Sequence, residues 1–325
     1  MGTEHRELYV TPAETREVIP RLPEIYDEPF SDSSQIPTYL LSELTRTHVT
    51  VALSGDGGDE IFGGYHRYFS MNKLLSKTER IPPIVLQLMA NMSGHLKPDI
   101  WQRLVATLPK GRHSVGLGYK ISEVLRQFSS SAPIIYPMLH CHWPSPEYLT
   151  CESNEPKGIL WDPRINDLFS DSFSRFQYLD TLTYLPDDVL TKVDRASMAK
   201  SLETRVPLLD HRVVELSWRI PTSMKIRGQT GKWILREILS DYVPTELFSR
   251  PKMGFGVPIG KWLRDPLREW AEDLINPASL RKYDLLKPDL IWKLWNQHKQ
   301  GDYDWGYWLW DVLMLQAWLD HNQSS

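Results

Sequence analysis

Residues 53–65 read Leu-Ser-Gly-Asp-Gly-Gly-Asp-Glu-Ile-Phe-Gly-Gly-Tyr and follow directly on the run His48-Val-Thr-Val-Ala. Thirteen positions hold five glycines (55, 57, 58, 63 and 64) and three acids, Asp56, Asp59 and Glu60. An ordinary turn needs one or two glycines. The apolar, β-branched run over 48–54 predicts a strand buried on both faces, as in a parallel sheet. Open α/β sheets place ligands beyond the carboxyl ends of such strands, which is where this loop falls. Glycines there allow positive φ, and consecutive backbone N–H groups form anion nests. Asp56, Asp59 and Glu60 are hard oxygen donors of the kind Mg²⁺ takes, and Mg²⁺ suits a nucleoside triphosphate. The same residues also fit a Gly/Asp-rich turn with solvated acids, so the loop alone leaves both readings open.

Two look-alikes are excluded. Gly-Gly-Asp-Glu resembles the diguanylate cyclase signature, which sits on a hairpin; here a second glycine pair follows after only Ile61 and Phe62. An EF-hand loop requires alternating acids and a Glu at its twelfth position, which this stretch lacks.

The 325 residues suffice for one large or two average domains, and 41% hydrophobic content with 13 Trp predicts a sizeable core. The net charge of −4 carries no global nucleic-acid signal. Two cysteines, Cys141 and Cys151, do not make a disulfide framework. The N-terminus lacks a signal-peptide plan, and no long apolar run is built to cross a bilayer. These features predict a soluble cytoplasmic protein that binds neither nucleic acid nor membrane.

Arg6–Pro12 reads as a short strand, and prolines at 12, 20, 23 and 29 leave room only for a short helix near 13–18 before irregular chain. A helix is expected to residue 46 and the strand over 48–54. From residue 70 onward the periodicity is helical, with breaks at Pro, Gly and charged clusters. Pro186-Asp187-Asp188 marks a helix start with an acid cap, and Asp210 caps the next helix. The final segment, 305–320, is apolar on almost every side and reads as core.

Lys192–Lys252 holds twelve Lys/Arg and seven Asp/Glu, a net +5 that leaves −9 for the rest of the chain. Such a basic segment suits a polyphosphate. Arg212 and Arg219 read as surface charge. Lys252, between Pro251 and two glycines, is a candidate for stabilising a leaving pyrophosphate. Lys232 stands beside glycines at a helix start, with Arg236 one turn on. His140-Cys141-His142 and Cys151 lack metal-ligand spacing and read as structural loop residues.

Three motifs in this order, Leu53–Tyr65, Leu185–Glu215 and Arg250–Arg264, resemble the synthetase domain of glutamine-hydrolysing asparagine synthetases from about residue 5 to the end. The resemblance implies an ATP-pyrophosphatase-like α/β fold and ATP-dependent adenylylation of the aspartate β-carboxylate. Ammonia from a separate glutaminase domain then displaces AMP from the β-aspartyl-AMP intermediate. It implies nucleotide contacts at Ser54 and Gly55; Lys232, from its charge and its place beside glycines, is a further cofactor-binding candidate. Asp56 falls at the acidic position linked to acyl-adenylate formation, Asp59 at the Mg²⁺ ligand and Lys252 at the pyrophosphate lysine. Either Asp187 or Asp188, with Asp188 preferred, matches an acid near the aspartate and ammonia site, and Arg205 matches a structural motif residue.

The family's Ser-Gly-Gly-x-Asp-Ser phosphate loop does not occur between Met1 and Ser54, and residue 2 is Gly where a glutaminase nucleophile would be Cys. The expectation is therefore an N-terminally truncated synthetase domain. Residues 1–70 would be the remnant of the α/β nucleotide-binding core and 71–325 a mainly helical remainder. A partner chain or a lost upstream segment would supply the phosphate loop. The alternatives are a non-catalytic remnant or interaction module, and a related amidotransferase acting on a sugar, peptide or antibiotic precursor.

Overall fold

Prolines shape the first elements, through the positions they occupy within each turn. In α1 (Pro12–Val18), Thr11 and Glu14 form a capping box: the Glu14 N–H donates to Thr11 Oγ1 at 3.3 Å and the Thr11 N–H donates to Glu14 Oε2 at 2.8 Å. Pro12, Pro20 and Pro23 all lie in first turns, where a missing N–H costs nothing. A 3₁₀ turn (Ile19–Arg21) and α2 (Leu22–Tyr26) therefore replace the irregular chain expected after residue 18. No strand forms in the described part of residues 4–11, because Thr11 already caps α1. The structure is a computed structural model that describes residues 4–7, 9–78, 80–95, 100–101, 117–127, 135–139, 141–143, 146–152, 157–249 and 256–323.

Next come α3 (Gln35–Arg46), β1 (Val51–Leu53), α4 (Gly58–Phe62) and α5 (His66–Thr78). Then follow α6 (Pro83–His95), α7 (Leu117–Gln127) and α8 (Ser172–Leu182). A π-helical turn (Leu185–Leu190) runs straight into α9 (Thr191–Met198). Asp187 and Asp188 lie inside that turn and do not cap the helix as expected, since α8 leads into it with only Thr183 and Tyr184 between. After β2 (Glu203–Arg205), Asp210 caps α10 (His211–Arg219) by accepting from the Arg212 N–H at 2.9 Å. The chain closes with α11 (Trp233–Ser240), α12 (Ile259–Arg264), α13 (Arg268–Ile275), α14 (Pro288–Gln300) and α15 (Gly306–Gln323).

The described fold is thus mainly helical with one small parallel sheet. β1 and β2 pair in register Val51↔Glu203, Ala52↔Thr204 and Leu53↔Arg205. The Glu203 N–H donates to Thr50 O at 3.0 Å, and the Ser54 N–H donates to Arg205 O at 2.9 Å. The expectation that β1 is buried on both faces is wrong for this chain: Leu53 is 73% exposed. Among the described residues β2 is its sole strand neighbour, so one edge and much of both faces meet solvent.

Two apolar clusters hold the helices together. The larger gathers α12 to α15 with α1 to α3, centred on Trp295, Trp305, Leu309, Trp310 and Leu313. The smaller lies around Tyr68, Met71, Tyr136, Phe176 and Leu179. Leu309 is fully buried, so Leu309→Ala is expected to lower unfolding free energy by about 2–5 kcal/mol. Leu53→Ala, at an exposed position, is expected to stay within about 0.5 kcal/mol. Urea denaturation of both variants measures the contrast.

Candidate functional site

β1 hands the chain to a tight turn built from its own polar side chains. The Ser54 hydroxyl donates to the Asp56 carboxylate, and the Asp56 N–H donates back to Ser54 Oγ at 3.2 Å. Both residues are half-buried, while Gly55 is exposed and has open space where a side chain would stand. Gly57 (φ 78°) and Gly63 (φ 70°) bracket α4 in the left-handed region, which is why this short helix can start and stop within five residues.

Asp59, in the first turn of α4, places Oδ1 2.9 Å from Lys232 Nζ. The two are far apart in sequence and meet because backbone approaches backbone. The Lys232 N–H donates to Phe62 O at 3.1 Å, and a Cβ on Gly231 would lie 2.1 Å from Gly63 O. A Cβ on Gly64 would lie 2.0 Å from Asp59 Oδ1 and 2.3 Å from Lys232 Cε. Lys232 itself takes φ 54° at the start of α11, a costly conformation for a residue with a side chain. Arg236, one turn on, donates from Nε to Gly231 O at 3.2 Å and so secures the same corner.

A second polar group surrounds the π-helical turn. Asp188, the acid preferred from the resemblance, is half-buried, while Asp187 is exposed. Burial, then the nearby Asp32 carboxylate, push the Asp188 carboxyl up to about 6, against the opposing effects of Lys192, a Tyr184 hydrogen bond and Arg67. Lys192 Nζ donates to Asp32 Oδ2 at 2.6 Å. Burial works against the Asp32 charge, but Lys192 and the Ser34 hydroxyl and N–H hold its carboxyl below the ordinary value. The Tyr26 hydroxyl donates to Lys192 O at 3.2 Å and closes the group from α2.

The predicted residues thus fall into three sets. Ser54, Gly55 and Asp56 share one turn, Asp59 meets Lys232, and Asp188 belongs to the Asp32–Lys192 group. Lys252 lies outside the described residues. Arg205 is exposed and its side chain pairs with Glu203 at 2.6 Å; its contribution to the site is the carbonyl that holds the Ser54 N–H. Arg212 pairs with Asp210 and Arg219 with Glu215 on exposed surface, as expected. His142 pairs with Asp311 at 3.0 Å and Cys151 Sγ donates to Leu286 O, which agrees with structural loop roles; His140 is outside the described residues.

Sequence reasoning missed Asp32, Lys192, Arg67 and Tyr184. Asp32-Ser33-Ser34 carries a weak signal, since an Asp that accepts from the N–H two residues on forms an Asx turn. The other three look like ordinary helix-surface residues in sequence.

A small parallel sheet set among many helices, its first strand ending in a glycine–carboxylate loop that a lysine from a distant helix meets, defines an α/β class of protein. The chain belongs to the asparagine synthase family, which it matches over residues 1–320. It is 29% identical to asparagine synthetase [glutamine-hydrolyzing] 1 of Bacillus subtilis, over 99% of this chain and 48% of that protein. It is 32% identical to a putative asparagine synthetase [glutamine-hydrolyzing] of Mycobacterium tuberculosis, over 93% of this chain and 44% of that protein. The amidase chyE of Penicillium rubens is 24% identical over 78% of this chain and 39% of its own length. The chain spans about half the length of the curated synthetases it matches. No helix among the described residues is long and apolar enough to cross a membrane.

Two stability predictions follow from the geometry. Gly231→Ala drives a Cβ into a backbone carbonyl and is expected to cost about 1–3 kcal/mol, whereas Gly55→Ala is expected to be near neutral. Thermal denaturation separates them. Asp188 binds its proton more tightly folded than unfolded, so the folded state holds more protons between pH ~4 and ~6 and stability falls as pH rises through that window. Asp188→Asn is therefore expected to be more stable than wild type at pH 7.5, by up to ~2 kcal/mol, with the advantage lost at pH 4. Urea titrations at the two pH values give the difference.

Proposed function

We propose that this chain is the C-terminal part of an asparagine-synthetase-type ligase, which amidates aspartate at the expense of ATP through a β-aspartyl-AMP intermediate. Residues 1–70 are assigned as the remnant of an ATP-pyrophosphatase-like nucleotide core and 71–325 as the helical remainder. The observation that carries this reading is the Asp59–Lys232 pair at 2.9 Å, a carboxylate and an ammonium held together beside the Ser54–Asp56 turn by glycines that admit no side chain.

The donor set fits Mg²⁺ in one particular way. The described residues contain no cluster of three or more His, Cys, Asp or Glu able to hold a metal ion. Mg²⁺ commonly binds through one or two carboxylates together with substrate phosphates, and Asp59 supplies one, while Glu60 beside it is buried and accepts from the Tyr65 hydroxyl. When bound, Mg²⁺ would neutralise phosphate charge and orient the leaving pyrophosphate. Asp59 is assigned to hold it, and Lys232, released from Asp59, to face phosphate oxygens. Ser54 and Gly55 present backbone to the nucleotide, and Asp56 faces the acyl-adenylate. Lys252 is assigned to the leaving pyrophosphate. Asp188, with its carboxyl raised to about 6, is mostly ionised at neutral pH and suited to accept the proton that the attacking nitrogen must lose.

The phosphate-gripping Ser-Gly-Gly-x-Asp-Ser loop is assigned to sequence outside these 325 residues, on an upstream segment or a partner chain. Glutamine-derived ammonia is assigned to a glutaminase domain likewise outside them. The match to an amidase supports one further reading, in which the acceptor carboxylate belongs to a molecule other than aspartate.

The chain alone is expected to release no pyrophosphate from Mg-ATP with aspartate and ammonia, and aspartate-dependent release would refute the proposed incompleteness. Millimolar Mg-ATP is expected to raise its melting temperature, because a ligand well above its dissociation constant stabilises the state it binds. Asp59→Asn is expected to abolish the rise. No shift in the wild-type chain would favour a remnant that binds no nucleotide.

A further inference from the structure

Arg67 stands between the two halves of the proposed site. Its guanidinium lies 3.8 Å from the Tyr65 ring centroid and 4.4 Å from that of Tyr184, and the two rings meet edge to face at 5.7 Å. Arg67 also donates from Nη2 to Asp180 Oδ2 at 2.7 Å, and the Tyr68 hydroxyl donates to the same oxygen at 2.6 Å. Asp180 is completely buried on α8, so this cation has a fixed counter-charge and cannot swing away without leaving a buried carboxylate uncompensated.

Each aromatic wall of the sandwich leads to one side of the site. The Tyr65 hydroxyl donates to the buried Glu60 carboxylate, next to Asp59 on α4. Gln177 Nε2 on α8 donates to Glu60 O at 3.0 Å, so α8 braces the same helix. The Tyr184 hydroxyl hydrogen-bonds Asp188 in the π-helical turn. Six residues therefore form one continuous path: Glu60, Tyr65, Arg67, Tyr184 and Asp188, with Asp180 as anchor. A planar guanidinium suits this place, because it stacks on ring faces while forming directed hydrogen bonds in its own plane, which an ammonium cannot do.

We propose that Arg67 is a positioning residue that locks the Asp59-bearing helix and the Asp188-bearing turn into one fixed relation, so that occupancy of the nucleotide side is felt at Asp188. Its functional sense rests on the ligase reading above; the structural linkage does not. A ligase of this kind gains from such a link, because the acceptor side is then set for nitrogen attack only with nucleotide in place.

The charged and titratable groups around Asp188 are Asp32 from the loop after α2, Lys192 from α9, Tyr184 at the start of its own turn, Tyr26 from α2, and Arg67 from α5. Of this set, Tyr184 meets the Tyr65 ring edge to face, and Arg67 is the cation that lies over its face. The test is a ¹³C carboxyl NMR titration of Asp188 in the full chain, with and without Mg-ATP, in wild type, Arg67→Lys, Arg67→Met and Tyr184→Phe, each checked for folding by circular dichroism.

Without nucleotide, Arg67→Met is expected to raise the Asp188 midpoint, since a facing cation is lost. Tyr184→Phe keeps the ring and is expected to raise it too, through loss of the hydrogen bond. With Mg-ATP, the wild-type midpoint is expected to move. Arg67→Lys keeps the charge without the stacked fork and is expected to cut that response about fivefold or more. An unchanged midpoint in folded Arg67→Met, or in Tyr184→Phe if Arg67→Met does not fold, overturns the path. A full Mg-ATP response in Arg67→Lys overturns the proposed linkage. Failure of Mg-ATP to bind wild type would instead count against the nucleotide reading, and the nucleotide-free titrations would still decide whether Arg67 acts on Asp188.

Discussion

The contact of Gly231 with the Gly63 carbonyl is the constraint on which the proposed nucleotide side depends. With a hypothetical Cβ only 2.1 Å from that oxygen, the two segments approach as closely as bare backbone allows. The approach brings the Lys232 N–H onto Phe62 O and its ammonium onto Asp59. The ion pair is the result of this docking and too weak to cause it. Partly exposed pairs are worth about 0–1 kcal/mol, while the left-handed conformation of Lys232 costs about 1–2 kcal/mol. A residue held in strain by its surroundings, with its charge aimed at a glycine-rich loop, is the pattern expected of a site and not of a stability device.

The proposed acceptor side follows a different logic, in which burial and pairing together set the chemistry. Asp32 and Asp188 share one neighbourhood, yet Lys192 pairs directly with Asp32 and leaves Asp188 with a hydroxyl and more distant cations. Desolvation raises both carboxyls, but the Lys192 and Ser34 interactions outweigh it at Asp32 and the opposing groups do not at Asp188, so the net shifts are opposite. Asp32 stays charged and Asp188 titrates near neutrality, the separation that distinguishes a fixed charge from a proton acceptor. A π-helical turn at this point widens the backbone just where Asp188 must face inward while Asp187, one residue earlier, faces solvent.

How much of this could be read from sequence depends on whether each feature is local. Glycine spacing announced the loop, because positive φ at 57 and 63 is open to glycine without the steric cost other residues meet. The Asp210 cap and the largely apolar α15 are local too, and both stand where expected. β2 was not legible: Glu-Thr-Arg has no apolar run and is a strand only because β1 supplies a partner. The reading of β1 failed for the opposite reason, as its apolar run reports a preference for burial on both faces that the described residues do not provide. Arg67 and Lys192 were hidden for a third reason. A buried cation is defined by a counter-charge more than a hundred residues away in sequence, and no window along the chain contains both.

These three kinds of feature meet at Ser54. Its N–H is held by the carbonyl of Arg205, so the strand that sequence could not show fixes the first residue of the loop that it could. Parallel pairs are slightly weaker per residue than antiparallel ones and usually lie within covered sheets. A two-stranded, solvent-exposed pair is thus a poor anchor by itself. What holds the loop in register is the far side, where α4 is pinned by Gly231 and Lys232 from α11 and by Gln177 from α8. The turn at Ser54–Asp56 is suspended between a weak ladder and a rigid helix corner. Small displacements of the strand pair therefore move Ser54 and Asp56 while leaving Asp59 and Lys232 in place. Covering the open edge of β1 would stiffen the half of the site that the described residues hold least firmly.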